Sequence, residues 1–262
     1  MFNSKHSPAT GFVWLVGAGP GASDLITLRG LRLLQSAEAV VYDDLASREL
    51  LQHCPPGCEQ HAVGKRAGHH SATQAEINAL LVSLGGAGRK VVRLKGGDPM
   101  IFGRAGEEIE ALRAAGIPFE IVPGVTAATA AAASLGLPLT HRDCSSAVVF
   151  VTGHQCAANT GGLDWDALAR LRATLCFYMG VRRLPEIVHS LAHHGMPADT
   201  PLALISEATQ PTQKITLTTL AEAAAIPPEK IAQPALVVVG EVVRFSDFAT
   251  QVPGLFAQAK SP

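Results

Sequence analysis

The residues best suited to chemistry gather around glycines. VGAGPGASD places Gly17, Gly19 and Gly21 directly after an apolar run ending at Val16, and the next apolar run ends in Asp43 and Asp44. A glycine turn that opens a helix can hold a pyrophosphate on free backbone N–H groups, with an acid on the next strand binding a ribose. Pro20, however, removes one N–H from this turn, and Ser23 with Asp24 caps a helix that begins only later, so an acid stands where an anion would bind. The loop reads equally as a tight structural turn and as a ligand-facing loop, and the second reading keeps an NAD-dependent oxidoreductase open. A second glycine pair, in GGDP (Gly96, Gly97, Asp98, Pro99), follows the apolar run VVRL, where glycine lets backbone approach a ligand at the carboxyl end of a strand. Taken alone, GGDP is also an ordinary turn.

Cations concentrate near these turns. Lys65, Arg66, His69, His70, Arg104, His141, Arg142 and His154 stand in the glycine-bearing segments of a chain that is otherwise close to neutral, with 21 Lys plus Arg against 22 Asp plus Glu. A net charge of -1 gives no global field for nucleic acid or an anionic membrane, so neither is an expected partner and any anion must be met locally. Cys54 and Cys58, in CPPGC, are at half a zinc site's spacing, but no second Cys/His pair stands nearby; Pro-Pro-Gly reads as a turn and no metal is expected. Five cysteines, an odd number and mostly scattered, are not a disulfide framework, so a reducing cytoplasm is the default. The N-terminal MFNSKHSPATG has no apolar core of a signal peptide and no apolar run is long enough to span a bilayer, so a soluble, untargeted protein is expected.

The elements that must position these residues follow from the apolar pattern. With 262 residues, 47% hydrophobic and 16% charged, the chain is globular and long enough for two cores. Unalternating runs at 13–16, 39–42, 91–94 and 119–122 suit strands buried on both faces. Between them TQAE is a capping box for a helix over 73–84, with Ile77, Leu80, Leu81 and Leu84 on one face and Gly85-Gly86 as its stop. A second helix over about 105–115 starts with Glu107 and Glu108, favourable to the macrodipole, and ends at Gly116. Strands alternating with helices predict a mainly parallel α/β domain over 11–122. An Ala-rich helix between proline turns marks 123–140 as a junction, and runs at 147–153, 174–180, 202–206, 214–220 and 235–240 predict a second α/β domain over 141–250. KITLTTL alternates, as a solvent-facing antiparallel strand does, so the second sheet is expected to be mixed.

VGAGPG, GKRAGHHSATQAEIN (64–78), RLKGGDPMIFGRAGEE (93–108), PGVTAATAAAASLGLPLTHRD (123–143), VTGH (151–154) and FYMG (177–180), in this order, resemble the uroporphyrinogen-III C-methyltransferases of the tetrapyrrole methylase family. The resemblance runs from Phe12 to Val243, and GKRAGHH, DPMIFGR and LPLTHRD carry its uroporphyrinogen-specific part. It implies a class III methyltransferase of two α/β domains with the active-site cleft between them, S-adenosylmethionine (AdoMet) as co-substrate, and a homodimer. The implied reaction methylates uroporphyrinogen III at carbons 2 and 7 to give precorrin-2, for siroheme or cobalamin. A fused dehydrogenase/chelatase module is not expected within this length.

The resemblance assigns Asp43 as proton acceptor and Lys65 as proton donor; from residue type alone Asp43 is equally a strand-end cap and Lys65 a carboxylate clamp. It assigns Pro20, Gly96, Gly97, Asp98, Ile101, Thr126, Ala127 and Met179 to AdoMet, and Ala208 where the family has a contacting glycine. Uroporphyrinogen III is ringed by carboxylates, which arginine matches bidentately, so Arg104 and Arg142 lead the substrate candidates. His154 joins them, and Glu107 either pairs Arg104 or contacts a pyrrole N–H. Asp44 departs from the Arg or small residue common in relatives. Two other readings stand beside this one: a precorrin methyltransferase acting at another ring position, and a noncatalytic tetrapyrrole-binding protein.

Overall fold

A computed structural model describes residues 11–64, 72–153 and 162–248. The chain divides into two units, Met1–Thr126 and Ala127–Pro262.

The first unit is built on a five-stranded, all-parallel sheet in the order β3-β2-β4-β1-β5, with β1 Phe12–Gly17, β2 Ala39–Tyr42, β3 Glu59–Ala62, β4 Lys90–Lys95 and β5 Phe119–Val122. Alternate residues of β4 serve opposite cores. Val92 and Leu94 join Val16, Val40, Leu34 and Leu50 on one face, while Val91 joins Val13, Leu15, Val41, Leu81, Ile109 and Leu112 on the other. That second face is covered by helices α2 (Gln74–Gly86) and α3 (Ala105–Ala114), and α1 (Leu28–Leu34) lies over the first. Burial on both sides explains the unbroken apolar runs. The edge strand β3 has no such run; Glu59, Gln60 and His61 suit its half-exposed position and hide it from an apolar-pattern search.

The capping box at the start of α2 is present, with Thr73 accepting from the Glu76 N–H and the Glu76 carboxylate accepting from the Thr73 N–H. The helix does not stop before Gly85. It runs through Gly86; a side chain at Gly85 would lie 2.6 Å from Ile117, so the glycine there serves close packing inside the helix. The stop falls at Gly88, whose φ is +80°.

The second unit has a mixed five-stranded sheet, β6-β7-β10-β8-β9. β6 (Ala147–Thr152) and β7 (Ala173–Tyr178) are parallel, while β10 (Ala235–Val239) runs antiparallel to β7 and to β8 (Pro201–Ser206). β9 (Lys214–Thr219) is the antiparallel edge, with the alternation expected of a strand wet on one side. Helix α4 (Ala127–Ser134) covers one face through Ala128, Ala131 and Ala132. On the other, α5 (Trp165–Arg170), α6 (Leu184–His193) and α7 (Leu220–Ala223) pack through Leu168, Ile187, Leu191 and Ala223. Among the described residues no helix is long and apolar enough to cross a membrane.

Candidate active site

In the first sheet β1 and β4 are neighbours whose outgoing connections run to opposite sides, β1 toward β2 and β4 toward β5. Such a switch point opens a crevice at the carboxyl ends of the two strands. The loops that leave there are the two glycine segments singled out above.

They are stitched together by backbone. Gly19 N–H donates to the Gly97 carbonyl at 3.2 Å, Gly97 N–H returns to the Gly19 carbonyl at 2.7 Å, and Ala18 N–H reaches the Lys95 carbonyl at 2.7 Å. A Cβ on Gly17 would lie 2.5 Å from Gly124 Cα, and one on Gly124 would lie 2.3 Å from the Gly97 carbonyl oxygen. Gly17 and Gly124 therefore let the loops after β1 and β5 meet each other and the Gly97 carbonyl backbone to backbone, and Gly97 itself is left-handed at φ +68°. This decides the open question about the first glycine run: Gly17 is spent on packing. No helix begins at the loop either, since Ser23–Leu25 is a short 3-10 turn and α1 starts only at Leu28, capped by Thr27 through the Gly30 N–H. The geometry of a dinucleotide fingerprint is absent here. Pro20 sits half-buried in the same loop.

Asp98 is the clasp of this junction. One carboxylate oxygen accepts from Met100 N–H at 2.8 Å and the other from Gly124 N–H at 2.9 Å, tying the β4 loop to the β5 loop. Gly96 faces Leu45, whose Cβ would be 2.4 Å from an added methyl group. Ile101 and Thr126 are half-buried, and Phe102 and Arg104 hold left-handed backbone, φ +52° and +55°, a conformation that costs energy in non-glycine residues. Leu45, Met100 and Phe102 are large apolar side chains left exposed at 58%, 56% and 39% in these segments. Exposed apolar side chains beside a crevice mark a place for a ligand.

Arg104 precedes α3 and forks onto Glu107, Nε to Oε1 at 2.7 Å and Nη2 to Oε2 at 2.8 Å, both side chains being exposed. These hydrogen bonds hold the Glu107 carboxyl below the ordinary carboxylate range. Of the two readings of Glu107, pairing with Arg104 is the one this structure displays.

Asp43 follows β2; one oxygen accepts from Leu45 N–H at 3.1 Å and the other lies 3.4 Å from Arg93 Nη2. Behind it is a buried ion cluster missed in the sequence reading. Arg93 and Lys95 stand two apart on β4 and point to the α2/α3 face, where Glu108 Oε1 accepts from Arg93 Nε at 3.0 Å and Lys95 Nζ at 2.8 Å. Glu108 therefore answers two buried cations as well as the macrodipole. The signal was in VVRLK: two cations at i and i+2 at the end of an apolar run share one buried face and require a buried acid.

In the second unit the carboxyl ends of β6, β7 and β8 point the same way. A Cβ on Gly153 would lie 2.3 Å from Gly180 Cα, and Gly153 N–H donates to the Tyr178 carbonyl at 2.7 Å. Met179, between them, is 55% exposed with φ +55°. Tyr178 OH accepts from Ala128 N–H at 3.0 Å, fixing the first turn of α4, where Ala127 is half-buried. Ala208 follows β8 between Glu207 (φ +49°) and Thr209 (φ +67°). Ala208 itself lies outside the left-handed region, so the backbone does not require glycine there.

Arg142 stands elsewhere. It lines an open groove of about 570 Å³ at the amino ends of β6, β7 and β8, with Arg170 and Arg172. Met179 is at the other end of β7, six residues or about 20 Å away. His141, next to Arg142, stacks on Phe245 with ring centroids 4.1 Å apart. Lys65, Arg66, His69, His70 and His154 lie outside the described residues. Among those described, no group of His, Cys, Asp and Glu could hold a metal ion.

A switch-point crevice floored by backbone and edged by apolar side chains and an arginine fork has the features of a small-molecule site. Residues 13–224 match the family described as Tetrapyrrole (Corrin/Porphyrin) Methylases, and the chain belongs to that family. It is 50% identical over 235 residues to a siroheme synthase of Gluconacetobacter diazotrophicus, covering 89% of this chain and 50% of that one. A siroheme synthase 1 of Serratia proteamaculans is 52% identical over 247 residues, 93% of this chain and 51% of the relative. The chain thus spans about half the length of the curated relatives it matches. Among solved structures, a uroporphyrin-III C-methyltransferase from Thermus thermophilus complexed with S-adenosylhomocysteine is 40% identical with a TM-score of 0.76, over 89% of this chain and 99% of that one. A cobalt-precorrin-4 methyltransferase is 31% identical with a TM-score of 0.79, over 88% and 95% of the two chains.

Proposed function

We propose that this chain transfers methyl groups from AdoMet to carbons 2 and 7 of uroporphyrinogen III, giving precorrin-2 by way of precorrin-1 and feeding siroheme or cobalamin formation. The observation that carries this reading is the match, over nearly the whole of the solved chain, to a uroporphyrin-III C-methyltransferase that holds S-adenosylhomocysteine. When bound, AdoMet supplies an electrophilic methyl group and its own leaving group, so the protein's work is alignment more than acid/base power.

In this reading the clasped loops, with Pro20, Gly96, Gly97, Asp98, Ile101 and Thr126, receive AdoMet in the first unit, and Ala127, Met179 and Ala208 do so in the second. Asp98 acts by shaping the loop, since both of its oxygens are engaged by backbone. Arg104 offers its guanidinium to a substrate carboxylate, exchanging Glu107 for it, and His154 is a further carboxylate partner; Arg142, at the amino ends of the second sheet, is left out of this reading. Asp43 accepts the proton released when the pyrrole carbon has been methylated, and Lys65 donates a proton.

Purified protein incubated with AdoMet and uroporphyrinogen III under anaerobic conditions is expected to form a doubly methylated tetrapyrrole and S-adenosylhomocysteine. No methylated product would refute the proposal. Binding of S-adenosylhomocysteine without turnover would favour a noncatalytic carrier. The likeness to the cobalt-precorrin-4 methyltransferase supports a second reading, methylation of a later precorrin at another position, which product masses from each substrate separate. We further propose a cytoplasmic homodimer; a monomer mass in light scattering at every concentration would overturn the dimer.

A further inference from the structure

The cluster behind Asp43 has a feature that packing alone does not require. Glu108 is fully buried, yet only one of its oxygens is used: Oε1 takes Arg93 Nε, Lys95 Nζ and, at 3.5 Å, Gln74 Nε2, while Oε2 is buried without a hydrogen-bond partner. Arg93 is held rigidly. Its Nη1 donates to the carbonyls of Val41 and Leu94 at 3.3 and 3.0 Å, Nε faces Glu108, and Nη2 faces Asp43 at 3.4 Å. The Arg93 and Lys95 side chains are each only 4% exposed, whereas the Asp43 side chain is 27% exposed. The cluster thus runs from a sealed carboxylate, through a clamped guanidinium, to the carboxylate that reaches solvent.

We propose that Glu108 and Lys95, acting through Arg93, are positioning residues that set the orientation and proton affinity of the Asp43 carboxylate. The inference rests on the reading of Asp43 as proton acceptor. Its physical basis is that four charges in a low-dielectric face, two positive and two negative, leave no net charge, so removal of any one is felt strongly by the others. Burial, and then the Arg93 charge beside it, draw the Lys95 ammonium below its ordinary range, while Glu108 and, least, Asp43 act on it in the opposite sense. On the elements beside Asp43, further titratable groups are its neighbour Asp44, packed against Gly64, and His61 on β3, opposite Val41 and 3.5 Å from Glu59. Glu107, bonded to Arg104, also senses Lys95.

The test is the pH profile of kcat/KM for methyl transfer in Lys95→Met, Lys95→Arg and Glu108→Gln. Removing the Lys95 charge favours the protonated form of Asp43, so the acidic limb should move to higher pH by on the order of one unit. Lys95→Arg restores the charge and should restore the limb. Glu108→Gln removes a negative charge and should move the limb to lower pH, by less, because Lys95 without its partner sheds its proton more readily. S-adenosylhomocysteine affinity, read by calorimetry, should stay within about twofold of the parent, since the cluster lies on the α2/α3 face. Limbs that stay in place, or move together in one direction, overturn the proposal. Should Lys95→Met fail to fold, the direction of the Glu108→Gln shift decides. Asp43→Asn separates the two layers: full turnover in that variant removes the role of Asp43 itself, while loss of turnover alongside unmoved limbs in the other variants removes only the positioning role.

Discussion

Asp98 offers the sharpest quantitative test, because its carboxylate joins two loops through bonds that can be removed one at a time. A hydrogen bond to a charged acceptor contributes about 1.5–3 kcal/mol when buried. Asp98 is half-buried, so about 1 kcal/mol for each of the Met100 and Gly124 amides is the fitting scale. Asp98→Asn keeps one acceptor oxygen and should lose about 1 kcal/mol; Asp98→Ala keeps none and should lose about 2 kcal/mol, both read from urea unfolding. If the loops must be ordered before the ligand binds, the same energies appear in S-adenosylhomocysteine affinity, roughly fivefold weaker for Asn and thirtyfold for Ala, since ~1.4 kcal/mol is a factor of ten. Calorimetry and unfolding on the same preparations give both quantities. Unchanged affinity in Asp98→Ala, with stability lost, would refute the claim that the clasp prepares the site. Abolished binding in Asp98→Asn, with only ~1 kcal/mol of stability lost, would instead show that the carboxylate touches the ligand directly.

Arg104→Ala should bind S-adenosylhomocysteine nearly as well as the parent but lose about tenfold or more in methylation, because it removes the carboxylate fork and leaves the glycine junction intact; unchanged turnover would withdraw Arg104 from substrate binding. Gly124→Ala pushes a methyl group to 2.3 Å from the Gly97 carbonyl oxygen and should cost about 1–3 kcal/mol in thermal or urea unfolding, whereas Gly106→Ala, with open space around it in α3, should be neutral or stabilise by up to ~1 kcal/mol. The Cys54 thiol is pushed up to about 12 by burial and then by the Cys58 thiol beside it, and burial alone takes Cys176 to about 12. Alkylation at mildly alkaline pH, followed by mass spectrometry, should therefore label both at least ~10-fold more slowly than a free thiol, with Cys54 accelerating only at strongly alkaline pH.

Apolar pattern made most of the architecture legible, because strands buried on both faces write uninterrupted Val/Leu/Ile runs. Where burial is one-sided and short, as in β3, the pattern has nothing to record. Gly85 and Gly86 misled for a related reason: glycine stops a helix where it adopts a left-handed conformation, but inside a helix it can also serve close packing, and only the neighbouring Ile117 distinguishes the two. For the candidate site, the turn residues were visible by type. Their actual work was not, since the Asp98 bonds and the Gly17 contact join segments about eighty and a hundred residues apart or converge on loops twenty-odd residues apart, separations that no local spacing rule spans. Arg142 shows the same limit from the other side. A motif adjoining the glycine segments in sequence stands at the far end of β7 from Met179, because one strand length is enough to carry neighbouring chain to the opposite edge of a sheet.

Each sheet, taken by itself, solves one steric problem in the same way. Loops leaving adjacent strands at their carboxyl ends start only about 5 Å apart, the interstrand distance, so they can remain in contact only where side chains are missing. Gly17 and Gly124 meet that condition in the first unit, and Gly153 with Gly180 meets it in the second. Farther along the same loops non-glycine residues hold left-handed backbone: Phe102 and Arg104 after β4, Met179 after β7. All three side chains are exposed, and two of them, Arg104 and Met179, are the ones proposed above for substrate and cofactor. In this reading glycine closes the strand ends, and the side chains that follow stay outside that contact, where a ligand can reach them.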